Sequence, residues 1–258
     1  MEAFVYHFQI FLLVWARIGG IIMFVPVLSS EVVPYQIKGI LTFMIALVIF
    51  PVISLKGYIV PFSMTDYFLL ILKEMLIGII IGFLLNLIFS AVQLGAQFFS
   101  TQIGVGMNEV FDPLAQIEIP VLGYFFNAFA VLVFLAIGAH HMVIHAVFDS
   151  YRLMPAVDYL KNSEVIMLQA IRYFSFMFEI ALKLSFPILA ATTIIVICLA
   201  LIGKTAPQAN VLMLGLPIQF LVGILFLTIT MSGFLEVFAK IIQNAVSNTM
   251  LLFSAIRN

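Results

Sequence analysis

Long apolar runs at residues 4–28, 37–53, 67–92, 121–137, 165–202, 218–238 and 241–256 alternate along the chain with short polar connections. Crossing a bilayer takes about 20 predominantly apolar residues, so the runs allow around six or seven crossings, with 37–53 at the short limit and able to stay on one side. In hydrocarbon an unpaired backbone N–H or C=O is expensive, which leaves helices as the form for such runs. Prolines at 51, 187 and 217 fall within or beside them. The pattern predicts a polytopic membrane protein of helices, bent or broken at such prolines.

One stretch breaks the apolar pattern in the middle. Residues 93–120 carry Glu109, Asp112 and Glu118, several amides, three glycines and two prolines, with no Lys or Arg. Backbone that leaves its helix at membrane depth must be buried in protein or line a water-filled path. The stretch is therefore either a long solvent-exposed connection or a broken element beside a conduit, in which AspPro at 112 and 113 forces Asp112 out of helical geometry. A second interruption at 203–217 has the same character. It contains Lys204, Pro207, Gln208, Gly215 and Pro217, and two such interruptions suggest half-helices meeting at a common depth.

Charges inside the runs need partners. Arg17, near the centre of the first run, would cost about 2.5 to 3.5 kcal/mol on the insertion scale if it faced lipid, so it should face protein or water. Lys73 and Glu74 are adjacent and diverge by about 100° on a helix, so each must find its partner elsewhere. Gly78 and Gly82 follow as a GxxxG step, which lets helix backbones approach closely. Glu179 and Lys183 stand four apart in the favoured order, as do Glu236 and Lys240, and a helix could hold each pair. Pro187 should bend or break the run that contains it.

Composition narrows the class. The chain has 258 residues, 64% hydrophobic and 9% charged, against roughly 25% charged in a soluble domain. A net charge of −1 leaves no electrostatic footprint for nucleic acid. A single cysteine, Cys198, sits in an apolar run and supports neither a disulfide framework nor a cysteine metal cluster. The N-terminus, MetGluAla, lacks the basic start of a removable signal, so the first run is expected in the mature protein. His141, His145 and Asp149 recur every fourth residue, a helical spacing from which metal sites are built. The zinc-protease motif would require Glu where Met142 stands, so the histidines are read as hydrogen-bonded residues at a helix exit and no metal or cofactor is expected. GlyLysThr at 203–205 is not a phosphate loop, because its first glycine would fall on Cys198.

Taken in order, the motifs resemble one family along almost the whole chain, the FliR family of flagellar and type III secretion export-gate proteins. The carrying residues are Arg17, Gly20, Pro26, Pro34, Lys38 and Pro51; Glu74, Gly78 and Gly82; GlnIleGlyValGlyMet at 102–107 with Asp112 and Pro113; GlyAlaHisHis at 138–141; SerTyrArgLeuMetPro at 150–155; Pro187; LysThrAlaProGlnAlaAsnVal at 204–211; and GlyLeuPro at 215–217. The resemblance implies an all-α subunit of kinked and broken helical hairpins, present once beside several copies of FliP and FliQ and packed into a larger helical assembly that forms the secretion channel. FlhB and FlhA would be neighbours, unfolded export substrates the cargo, and the bacterial inner membrane at the flagellar basal body the location, with much of the assembly toward the periplasm. It assigns a plug loop to the lumen, comprising Gly106, Met107, Val110, Phe111, Asp112, Pro113, Leu114, Ile117 and Pro120. Arg17, Lys73, Glu74, Glu179 and Lys183 would be buried packing charges. GlyAlaHisHis looks more flagellar than virulence-type.

On this reading the chain is one unit over 1–258, with an N-terminal part to about residue 165 and a C-terminal hairpin part beyond it, and it makes no bond. Two rivals from other classes are a secondary transporter using Arg17, Lys73 and Glu74 as intramembrane binding charges, and a membrane metalloenzyme using His141 and His145.

Overall fold

In the computed structural model the described residues are 2–25, 28–29, 33–51, 60–104, 121–153, 163–206 and 211–257. They form seven helices and no strand: α1 Glu2–Phe24, α2 Tyr35–Ile49, α3 Met64–Ile103, α4 Val121–Ala136, α5 Ala139–Leu153, α6 Ser163–Thr205 and α7 Val211–Arg257. The all-α polytopic membrane class expected from the sequence is what the chain adopts. The helices group into two compact units, and three of them, α3, α6 and α7, contribute a segment to each.

The first unit comprises Met1–Ile88, Gly138–Tyr173 and Ile242–Asn258. At its centre lies α1, whose residues Ile10, Leu13, Val14, Arg17, Ile18 and Ile21 are buried at the i, i+3, i+4, i+7 spacing of a helix face. Antiparallel to it runs α2: His7 and Phe11 meet Phe50, Phe11 meets Phe43, and Gly19 lies against Thr42. α3 runs parallel to α1, since contacts advance together from Gln9 with Tyr67, through Arg17 with Glu74, to Phe24 with Phe83.

Glycine lets α1 and α3 touch at backbone distance. A Cβ on Gly20 would strike the Met75 carbonyl and lie 2.9 Å from the Ile79 nitrogen; one on Gly78 would strike the Arg17 carbonyl; one on Gly82 would lie 2.7 Å from the Ile21 carbonyl oxygen. The GxxxG step thus has α1 as its partner.

The second unit comprises Phe89–Ile137 and Phe174–Ile241. Its core is a series of aromatic contacts joining α3, α4 and α7: Phe134 to Phe89 at 5.5 Å, Phe89 to Phe238 at 5.9 Å, Phe234 to Phe126 at 5.0 Å and Phe126 to Phe99 at 5.2 Å. All four are edge-on, with interplanar angles between 65° and 86°, an arrangement that aromatic quadrupoles favour. α6 closes on α3 at Gly95, where a Cβ would come within 3.0 Å of the Ala181 carbonyl oxygen. Hydroxyls along these apolar helices are paired without leaving them: Ser185, Thr192, Thr228 and Thr230 each donate to the carbonyl four residues back.

Four helices among the described residues are long and apolar enough to cross a bilayer, over Phe4–Phe24, Met64–Ile103, Ala170–Thr205 and Met213–Asn244. This is fewer than the runs allowed. α2 has 15 residues, too short to cross alone, and the runs at 218–238 and 241–256 are parts of one 47-residue helix. Pro187 and Pro217 both lie inside helices, as does Gly215. Each proline removes one ladder hydrogen bond, but unwinding at membrane depth would expose several backbone groups. The central stretch likewise stays helical through Ile103 before Gly104, at φ +86°, ends it.

Close packing at Gly78 predicts a sharp contrast between two glycines of the same unit. Gly78→Val should lower the unfolding temperature of the detergent-solubilised protein and cut its accumulation in membranes, an overpacking effect of about 1 to 3 kcal/mol or more. Gly39→Ala, where a Cβ meets nothing within 4 Å, should be neutral or stabilising by up to about 1 kcal/mol through helix propensity.

Candidate functional site

The most strongly built polar site is in the first unit. α1 supplies Arg17 and α3 supplies Glu74, both with fully buried side chains, and the Arg17 Nε donates to Glu74 Oε2 at 2.5 Å. α5 adds the rest. Arg17 Nη1 donates to Ser150 Oγ at 3.3 Å, and Ser150 donates in turn to the Val147 carbonyl at 2.6 Å. The guanidinium lies 4.2 Å from the centroid of the Tyr151 ring, and the Tyr151 hydroxyl donates to the Val14 carbonyl at 3.1 Å.

The sequence builds this locally. Arg17 sits on the buried face of α1 between Leu13, Val14 and Ile18, and one turn on, Gly20 brings α3 close enough for Glu74 to reach back. A planar guanidinium can meet a carboxylate, a hydroxyl and an aromatic face at once, which an ammonium cannot. The cluster satisfies its charges internally and is closed to solvent. Its chemistry is that of a clasp joining three helices. With both side chains occupied by each other at zero exposure, Arg17 and Glu74 present no surface to a solute in this arrangement.

The other residues singled out in the sequence have these places. Lys73, next to Glu74, is half-buried and forms no ion pair among the described residues. Glu179 and Lys183 pair with each other at 2.5 Å on α6 but are 55% and 68% exposed. They were expected as buried packing charges, and this chain's own helices leave both exposed, with Lys183 at the rim of a cavity that Phe99, Phe126 and Phe234 also line. Glu236 and Lys240, also four apart, form no ion pair among the described residues. Lys204 is exposed in the last turn of α6, Gly215 is buried in α7 and Pro217 is exposed there. Pro207 and Gln208 lie outside the described residues, as do Gly106, Met107, Val110, Phe111, Asp112, Pro113, Leu114, Ile117 and Pro120.

His141, His145 and Asp149 do fall on one helix, α5, yet among the described residues no group of three or more His, Cys, Asp or Glu side chains is placed to hold a metal ion. His140 packs its ring on His141 at 4.1 Å and buries Nδ1 without a hydrogen-bond partner among the described residues. Ser150 and Tyr151 were not singled out as partners of Arg17. Their only sequence signal was their place in the SerTyrArg motif, which carries no hint of a contact 133 residues away.

Comparison with known proteins places this arrangement. A model of the family described as bacterial export proteins, family 1, matches residues 8–245. Flagellar biosynthetic protein FliR of Bacillus subtilis (strain 168) is 28% identical over 254 residues, covering 97% of this chain and 95% of that protein. The protein of the same name from Escherichia coli (strain K12) is 29% identical over 208 residues, covering 81% and 78%. That from Aquifex aeolicus (strain VF5) is 26% identical over 243 residues, covering 90% and 92%. The likeness expected from the sequence motifs is thereby borne out.

The clasp predicts asymmetric mutational behaviour. Glu74→Ala leaves a buried guanidinium without its counter-ion and should cost about 3 to 5 kcal/mol, read as loss of accumulated protein and of thermal stability in detergent. Replacing both partners together, Arg17→Met with Glu74→Leu, should recover much of that loss, because no bare ion remains in the interface.

Proposed function

Because this chain belongs to the family of bacterial export proteins, family 1, we propose that it is a structural subunit of the flagellar protein export gate in the bacterial inner membrane. The observation that carries this reading is the family match over residues 8–245, with relatives named flagellar biosynthetic protein FliR matching over 78% to 95% of their length. In this role it packs, as one copy, with FliP and FliQ into a helical assembly around a channel for unfolded export substrates, with FlhB and FlhA as neighbours. It makes no bond; its work is to form and close a conduit.

Two physical features support an enclosed position. The most apolar window of α6 is 17% buried and that of α7 11% buried, against 61% for α3. Lipid would tolerate that apolar surface, but each ion of the exposed Glu179–Lys183 pair would cost about 2.5 to 3.5 kcal/mol if that turn of α6 lay at the centre of a lipid-facing span. Protein or channel water on that face resolves the conflict. In addition, α3, α6 and α7 have 40, 43 and 47 residues, roughly 60 to 70 Å of helix at 1.5 Å per residue. That is about twice the thickness of a hydrocarbon core, which suits an assembly that rises out of the bilayer.

The segment from Gly106 to Pro120 supplies the closure. Met107, Val110, Phe111, Leu114 and Ile117 are apolar enough to exclude water from a constriction, while Glu109, Asp112 and Glu118 keep the segment hydrated when it is displaced.

Deleting residues 110–116 should make cells leak small solutes while the assembly still forms, measured by dye or ion entry beside native mass of the purified complex. A leak-tight deletion in an intact assembly would remove the plug. Separately, the tagged chain should co-purify with apolar partner subunits of defined stoichiometry, and a stable, active monomer with saturable solute uptake would overturn the gate reading.

A further inference from the structure

The end of α3 is held in an unusual way for a helix terminus. Terminal turns normally fray, yet Ile103, the last residue of α3, is 1% exposed. Its side chain lies in the space above Gly223 of α7. A Cβ on Gly223 would collide with Ile103 Cγ1 and come within 2.7 Å of Cδ1 and 3.1 Å of Cγ2. Three atoms of a β-branched side chain crowd that point, and Ile has little freedom at χ1 with which to yield. Elsewhere on α7 this does not recur: Gly215 faces only the tip of Leu199, and Gly233 faces nothing within 4 Å.

One residue later the chain turns. Gly104 adopts φ +86° and its N–H donates to the Thr101 carbonyl at 3.3 Å, while Thr101 donates to the Phe98 carbonyl at 3.0 Å. Beyond Gly104 the same face of α7 provides Leu216, whose Cδ2 lies 3.5 Å from where a Cβ on Gly104 would stand. Leu216 and Gly223 are seven residues apart and so share one stripe of the helix. Phe99, one turn before Ile103, is also 1% exposed and packs on Phe126. The last two turns of α3 are therefore clamped from both α4 and α7, and Gly104 leaves that clamp in a direction few other residues could adopt.

We propose that Ile103 and Gly223 form a positioning joint, a knob on α3 seated in a notch on α7, which fixes the point and direction from which the chain leaves α3. The proposal rests on the reading above that the segment after Gly104 closes the channel. Ile103 and Gly223 do not themselves occlude anything; they set where the occluding segment starts. A joint of this kind converts a small change at α7 into a displacement of the segment's root, because the notch has no slack to absorb it.

The test uses cells carrying the complete assembly, with its mass checked for each variant. Gly223→Ala should raise small-solute leak by roughly tenfold through overpacking at the joint, whereas Gly233→Ala should match the parent. Ile103→Ala adds no bulk and should also leak. Combining Ile103→Ala with Gly223→Ala removes all three obstructing atoms and refills the notch, so the double variant should leak less than either single one. In a Cys198→Ser background, Ile103→Cys with Gly223→Cys should cross-link on oxidation. If deletion of 110–116 leaks while Gly223→Ala and Ile103→Ala stay tight, the joint has no positioning role and the gate reading survives alone. If the double variant leaks as much as Gly223→Ala, or the cysteines fail to join, the knob and notch are refuted directly. If the deletion itself stays tight in an intact assembly, the gate reading falls and takes this inference with it.

Discussion

The contact between Arg17 and Glu74 sets the terms for the first unit. Two opposite charges with no exposure can remain ionised in an apolar interface only if they meet at hydrogen-bond distance, and here they meet at 2.5 Å. A slip of α3 by one turn, about 5.4 Å, would separate them and leave two bare ions. That penalty, about 3 to 5 kcal/mol for a buried charge left uncompensated, favours one register for α1 and α3. Gly20, Gly78 and Gly82 make the selected register reachable by letting backbones touch where side chains would hold them apart. Charge and glycine are thus two halves of one device. The pair specifies the alignment and the glycines permit it. α5 then joins through Ser150 and Tyr151, so that a third helix is recruited by what the guanidinium still has to offer.

The second unit solves the same problem without a buried ion pair among its described residues. Its helices are held by edge-on aromatic contacts from Phe134 to Phe99 and by glycine approaches at Gly95 and Gly223. Its hydroxyls turn back on their own helix carbonyls, which keeps apolar helices free of unpaired donors without specifying any neighbour. Aromatic packing is forgiving of small shifts where a salt bridge is not. Specificity in this unit comes from shape, and the tightest shape constraint falls at the end of α3, where Ile103 fills the notch at Gly223.

What the sequence disclosed divides along the same physical line. Costs that depend on one residue in lipid were readable: Arg17 had to be sheltered, Gly78 with Gly82 had to face a helix, and Glu179 with Lys183 could pair within a turn. Partners remote in the chain were not. Glu74 lies 57 residues from Arg17, and nothing local states which helix or register brings them together; Ser150 and Tyr151 were hidden for the same reason. Local chemistry at the prolines did not settle between a bend and a break. Pro187 and Pro217 promise breaks by their local chemistry, but in apolar surroundings losing one hydrogen bond is cheaper than exposing a turn of backbone, and both helices run on. The amides from Gln93 onward looked like loop and are helix through Ile103, because a helix with packed neighbours tolerates amides that point outward.

The contrast in burial between early and late helices carries a consequence for how such a chain becomes stable. α3 hides most of its apolar window within the chain, and the clasp leaves the first unit with its strongest charges already paired. α6 and α7 hide little, and the Glu179–Lys183 pair sits exposed on α6. A hydrocarbon core can accept the apolar surface of these helices but not an ion pair at its centre, and water can accept the ion pair but not the apolar surface. No single solvent satisfies both. On the gate reading, that mismatch is what drives association: surfaces that offer ions and hydrocarbon side by side are stable only against a partner that does the same, so the exposed hairpin of α6 and α7 encodes its need for neighbours in the one combination that neither lipid nor water can meet.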